Sequence, residues 1–99
     1  MSTLTLEREP LAANVVVSRD RLTVELADGR SLSVPLAWYP RLAKATEAEC
    51  ANWRLLGDGY AIEWPDLDEH IGTAGLLAGR RSGESVASFQ RWIASRGND

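Results

Sequence analysis

Five consecutive residues, Asp66-Leu67-Asp68-Glu69-His70, hold three carboxylates and the single imidazole of the sequence. Carboxylates of this density hold hard cations, and a His among them can seat a transition metal or act as a base. The spacing argues against both roles. An EF-hand loop alternates its acids around a central Gly and closes on a Glu, which this run does not do, and adjacent side chains seldom converge on one ligand point. The segment follows Pro65 and reads as a turn: Asp66 and Asp68 are turn and cap residues, Leu67 and Ile71 point inward, and Glu69 and His70 are solvated. No metal site and no cofactor is expected.

Cys50 with His70 is the one possible thiol and imidazole pair. A catalytic thiolate needs a base or a helix N-terminus beside it, whereas Cys50 falls near the far end of its predicted helix and suits a small buried position. Gly79-Arg80-Arg81-Ser82-Gly83 lacks the G-x-S-x-G spacing of a hydrolase nucleophile, and glycines 72, 75 and 79 make neither a dinucleotide fingerprint nor a P-loop. No catalytic residue is assigned, and an enzyme is not expected.

The elements that position these residues follow from periodicity. Val15-Val16-Val17 within residues 14–18, then Leu22, Val24 and Leu26 alternating with Thr23 and Glu25, read as strands. Asp28-Gly29 predicts a tight type I′ turn, and Ser31 to Pro35 the returning strand, giving a three-stranded meander. Pro40 opens a helix to about Ala45. Thr46 and Glu49 form a capping box for a second helix to about Trp53. Leu55-Leu56, Gly57-Asp58-Gly59 and residues 60–64 predict a hairpin with Tyr60, Ile62 and Trp64 on one face. Thr73 is expected to cap a short helix that Gly79 ends. The last helix, about residues 84–95, carries Val86, Phe89, Trp92 and Ile93 as one stripe. The fold class is α+β: a small antiparallel meander and hairpins, short helices packed on one face, and a C-terminal helix. An α+β domain occupies residues 1–79, its core about 13–79, and residues 80–99 are a helical extension hinged at Arg80-Arg81-Ser82-Gly83.

A chain of 99 residues suits one folding unit. One Cys excludes an internal disulfide, and one Cys with one His excludes four-ligand zinc sites. The start has no secretory pattern, so a cytoplasmic setting without membrane contact is expected. The net charge of −3 is unevenly spread: residues 46–79 carry one Arg against seven acids, while the last twenty carry Arg80, Arg81, Arg91 and Arg96 against two. An acidic middle opposes nucleic-acid binding, which needs clustered Lys and Arg.

The order of several short motifs resembles the domain-of-unknown-function 2442 family of bacteria. They are Asp28-Gly29-Arg30 before Val34-Pro35-Leu36, then Trp38-Tyr39-Pro40-Arg41-Leu42, Gly57-Asp58-Gly59-Tyr60-Ala61-Ile62, Trp64-Pro65 with Leu67-Asp68-Glu69, and Gly75-Leu76-Leu77-Ala78-Gly79. His70 stands where an acidic residue is expected. The resemblance implies a small α+β domain without an established activity, found in some relatives ahead of a helix-turn-helix module and in others beside a second small protein in a toxin-antitoxin-like arrangement. The expected function is a non-enzymatic protein-interaction domain, antitoxin-like or regulatory, whose partner meets Trp38 and Tyr39 as anchors and Asp58, Glu63, Asp66, Asp68 and Glu69 as a charged rim. A homodimer through the terminal helix is a further expectation. The alternative is a transcription-associated module touching phosphates through the C-terminal arginines.

Overall fold

The computed structural model describes residues 9–96. Its elements are β1 (Ala12–Val17), β2 (Arg21–Leu26), β3 (Ser31–Pro35), a 3₁₀ turn (Leu36–Trp38), α1 (Pro40–Ala43), α2 (Glu47–Ala51), β4 (Arg54–Leu56), β5 (Ala61–Trp64), a second 3₁₀ turn (Pro65–Leu67), β6 (Glu69–Gly72), α3 (Thr73–Leu77) and α4 (Val86–Ser95). The class is α+β, with two three-stranded antiparallel sheets ordered β1-β2-β3 and β4-β5-β6.

The first sheet is the meander that alternation predicts. Val15 faces Val24, Val17 faces Leu22, and Leu32 and Val34 flank the same two residues from β3. Directly opposite residues share a face, so these side chains build one apolar layer, with Leu22 and Val24 fully buried. Asn14, Val16, Thr23 and Ser33 take the other face. The hairpin after β2 differs from the type I′ expectation. Of Asp28 and Gly29 only Gly29 has positive φ (97°), its N–H donates to the Leu26 carbonyl, and the Leu26 N–H donates to the Arg30 carbonyl. The loop therefore has three residues, with glycine in the left-handed position that lets the strands resume their twist.

The second sheet holds a strand that sequence reading missed. Pro65 cannot continue β5, and the chain turns through the 3₁₀ segment to Asp68, whose left-handed backbone (φ 52°, ψ 44°) reverses it into β6. Residues 69–72, expected to end a solvated turn, pair with β5 instead, with Glu69 opposite Trp64 and Ile71 opposite Ile62. Ile62, Trp64, Leu67 and Ile71 are buried, and the indole N–H of Trp64 donates to the Cys50 carbonyl (3.0 Å), tying β5 to α2. Tyr60 does not join Ile62 and Trp64: it belongs to the preceding turn and is 52% exposed, with its ring against Gly57.

The two sheets meet at Gly59. Its carbonyl accepts the Ala12 N–H (2.7 Å) and the Thr73 hydroxyl (2.8 Å). A Cβ on Gly59 would lie 2.2 Å from the Ala12 oxygen at a φ of 110°, so the position requires glycine. Thr73 is thereby buried rather than a cap; Gly72 is the N-cap of α3.

Both helices before β4 are short. Tyr39 is the N-cap of α1, which ends at Ala43, two residues before the expected limit. The capping box of α2 is present, Thr46 accepting from the Glu49 N–H and Glu49 from the Thr46 N–H. No residue of α4 is buried, and Val86, expected on its inward stripe, is 72% exposed. The helix docks on its own chain through half-buried Trp92, which packs against the core, and through polar groups around it. Trp92 lies beneath the guanidinium groups of Arg41 (5.2 Å) and Arg96 (4.6 Å), and Phe89 stacks on it at 5.9 Å. Arg96 donates to Glu49 at 2.9 Å.

Candidate functional site

The acidic turn opens onto a cleft of about 260 Å³ between β6 and residues 80–83. Glu69 shares the core face of its sheet, because it stands opposite Trp64. Its half-buried carboxyl has no hydrogen-bond partner among the described residues. Burial raises its pKa to about 7; Arg41 pulls the other way, and the charges of Glu84 and Asp68 add to the rise. Across the cleft the Tyr39 hydroxyl donates to the Arg80 carbonyl (2.7 Å), and burial, then the Glu69 charge, pushes its pKa up. Arg41 completes the cluster. Its guanidinium holds both oxygens of Glu84 and donates to the Leu67 carbonyl at 2.8 Å. That hydrogen bonding keeps Glu84 below the usual carboxylate range.

A carboxyl that titrates near neutrality can exchange a proton, yet the thiol lies elsewhere, and His70, which also borders the cleft, stands on the opposite face of β6 from Glu69. Cys50 is buried in α2 with its Sγ donating to the Leu42 carbonyl (3.6 Å); burial, then the Glu49 charge, pushes the thiol up. His70 is exposed on the outer face, opposite Glu63.

The five acids predicted to bind a partner separate into three groups. Asp66, Asp68 and Glu69 stay together at the turn, with Asp66 accepting from the Asn52 amide at 2.9 Å. Glu63 lies on the outer face and is paired with Arg54 at 2.6 Å, while Asp58 sits in the loop at the opposite end of β5. Five acids do not form one rim. Trp38 is half-buried under the Arg81 guanidinium, 4.7 Å from its ring. Tyr39 is not an exposed anchor. The 3₁₀ turn rotates it inward to 4% exposure, where its ring joins the core and its hydroxyl finds a backbone partner.

A larger concavity, about 470 Å³, follows the outer edge of β1. Val15, Val16 and Val17 form one wall; Leu42, Cys50 and Trp53 belong to the other. Since Val16 points to one face of the sheet and Val15 and Val17 to the opposite one, the groove runs along the strand edge rather than across a face. Val16 is 49% exposed.

The family described as "Protein of unknown function (DUF2442)" matches residues 12–82. The chain belongs to that family. A crystal structure of a protein of unknown function from Rhodospirillum rubrum is similar to this DUF2442 chain at 29% identity, with a TM-score of 0.67, over 78% of this chain and 95% of that one. No protein with a curated description matches.

The matched DUF2442 span begins with β1 and ends within the segment that leads to α4. Both concavities are bounded largely by residues within it. Sequence reading of this DUF2442 domain missed the β1 groove, because its walls come from residues about thirty positions apart and only tertiary packing sets them side by side. The one local signal was Val15-Val16-Val17, three apolar residues where a strand with one wet face would alternate.

Proposed function

We propose that this chain is a non-catalytic, cytoplasmic binding domain that docks a second small protein, in an antitoxin-like or regulatory pairing. The observation that carries this reading is the groove beside β1, about 470 Å³ in volume, in which Val15, Val16, Val17, Leu42 and Trp53 stand beside the charged Arg19 and Glu47. Its shoulder is acidic: Asp66 is held by Asn52, whose chain neighbours Ala51 and Trp53 line the groove. A basic partner would be steered by Asp66 and Asp68 and retained by apolar contacts, with half-buried Trp38 as a further contact. Burial of Cys50 away from His70 speaks against thiol catalysis, and the pairing of Arg96 with Glu49 and the stacking of Arg81 on Trp38 speak against phosphate contacts.

The test is surface-plasmon kinetics against the protein encoded by the adjacent gene, at low and moderate salt. Saturable binding with a salt-dependent association rate supports the reading. Absence of binding to that protein, with submicromolar affinity for duplex DNA at physiological salt, would replace it with the transcription-associated alternative.

A further inference from the structure

We propose that the partner enters the β1 groove as an extended segment that adds a strand to the free edge of the first sheet. This rests on the binding-domain reading and specifies the recognition mode. β1 is an outer strand, paired on one side with β2. The Ser18 N–H donates to the Arg21 carbonyl (2.9 Å), so in the alternating pattern of an antiparallel pair Ser18, Val16 and Asn14 turn their backbone groups toward β2. Val15 and Val17 turn theirs to the open edge. Two N–H and two C=O groups, spaced two residues apart, therefore line the groove without partners among the described residues. Their geometric complement is the backbone of another strand.

The other sheet edges are less inviting. β3 ends in Pro35, which has no N–H to give, and β4 has three residues. The valine run of β1 carries no charge and no proline, and its bulge lies earlier, at Ala13. Such an edge is normally blunted or covered. The far wall selects the occupant. Leu42, Cys50, Ala51 and Trp53 line the groove beside the edge, so the inner side chains of one added strand would rest on them.

The guest's chemistry follows from pleating. Alternate side chains on the inner side meet Leu42, Cys50 and Trp53 and are apolar; those between them emerge beside Val16 and are free to be polar. Arg19 and Glu47 also line the groove and have no ion-pair partner among the described residues. A segment with an acid to meet Arg19 and a base to meet Glu47 fits best.

The probe is a capped seven-residue peptide that begins with lysine, alternates valine with threonine and ends in glutamate, titrated into the isotope-labelled full chain. Two further versions carry N-methyl groups on alternate amides, one on the odd positions and one on the even. Strand addition uses one edge of the guest, so one N-methylated version should lose about tenfold or more in affinity and the other stay within about twofold of the parent. The Val15 and Val17 amide resonances should move on binding. Val17→Pro removes an edge donor without breaking a bond to β2 and should weaken binding about tenfold. Val16→Lys, which places a charge beside the edge, is the second variant should the proline not fold.

Equal affinity of the two N-methylated peptides would overturn the proposal in favour of side-chain docking alone. So would binding that emerges only on deletion of residues 1–8, which would make the chain's own N-terminal segment the occupant, or a dimer that the peptide does not dissociate, which would make it a second copy. If the intact adjacent-gene protein binds the Val17→Pro and Val16→Lys variants as tightly as the parent, strand addition falls and the binding-domain reading stands.

Discussion

Arg41 and Glu84 face each other through a two-pronged contact, Nη2 lying 2.6 Å from one carboxylate oxygen, with their side chains 15% and 10% exposed. The pair joins α1 to the residue just ahead of α4, and Ser88 adds a bond to the same carboxylate at 2.9 Å. Removing one partner of a pair this sheltered leaves the other charge without compensation. Arg41→Ala should cost about 2 to 4 kcal/mol, more than Glu84→Ala, because Arg41 also serves the Leu67 carbonyl and lies over Trp92. Thermal melts of the two variants, followed by tryptophan fluorescence, check the order.

Glu69 shapes the stability profile between about pH 4.5 and neutrality. Its folded pKa of about 7 is above the usual 4.5, so between those values the folded chain binds a proton that the unfolded chain has released. Stability therefore falls as pH rises from about 4.5 to about 7. Glu49 and Glu84 act in the opposite sense: Arg96 and Arg41, respectively, lower their pKa values, so the stability they supply is lost as pH falls below the usual carboxylate range. Glu69→Gln should flatten the decline above pH 4.5 and leave the acid limb unchanged. Urea titrations at half-unit steps from pH 3.5 to 8 measure both limbs; an unaltered decline would show that another group causes it.

Trp64 is fully buried with its one donor satisfied by the Cys50 carbonyl. Trp64→Ala should cost about 3 to 5 kcal/mol, and Trp64→Phe distinctly less, since the smaller ring retains most of the apolar contact and forfeits the hydrogen bond. Chemical denaturation of both variants separates the two contributions.

Gly59→Ala places a methyl group against the backbone of β1 and imposes an unfavourable φ on alanine. The expected cost exceeds about 2 kcal/mol. Gly29→Ala shares the positive φ but meets no atom within 4 Å, so it should cost less. The difference in melting temperature isolates the steric part.

Asp66→Lys with Asp68→Asn should slow association with the adjacent-gene protein and reduce its salt dependence while the fold persists, because both side chains are exposed and Asn tolerates the left-handed backbone of position 68. Association rates at two ionic strengths, with circular dichroism as the folding control, decide this. An unchanged rate would mean that the acids at this turn only solvate the surface.

The meander was legible because Leu22, Val24 and Leu26 alternate against one layer, and the capping box because Thr46 and Glu49 interact within a single turn of helix. β6 was hidden: Glu69-His70-Ile71-Gly72 has one large apolar residue and a buried-face carboxylate, so its strand character comes from pairing with β5 rather than from its own pattern. Tyr39 misled for a related reason. Its neighbours Trp38 and Pro40 suggest a rim, and only the 3₁₀ geometry turns the ring inward. Of the acidic residues, the local group at positions 66, 68 and 69 was readable, but the separation of Asp58 and Glu63 depends on strand length and face. The groove required knowing which strand is outermost, which no local window contains.

The way α4 is fastened gives this chain two separate sensitivities. Urea and heat act in proportion to the surface that an opening exposes, and release of a helix whose core contact is half-buried Trp92 exposes less than opening either sheet, so the heat capacity and the denaturant slope register its departure only weakly. Dissolved ions weaken the partly exposed Arg96–Glu49 contact while leaving the apolar layers of the sheets intact. Ionic strength is thus the control that addresses the terminal helix selectively, and a calorimetric trace of this protein reports mainly on the sheets.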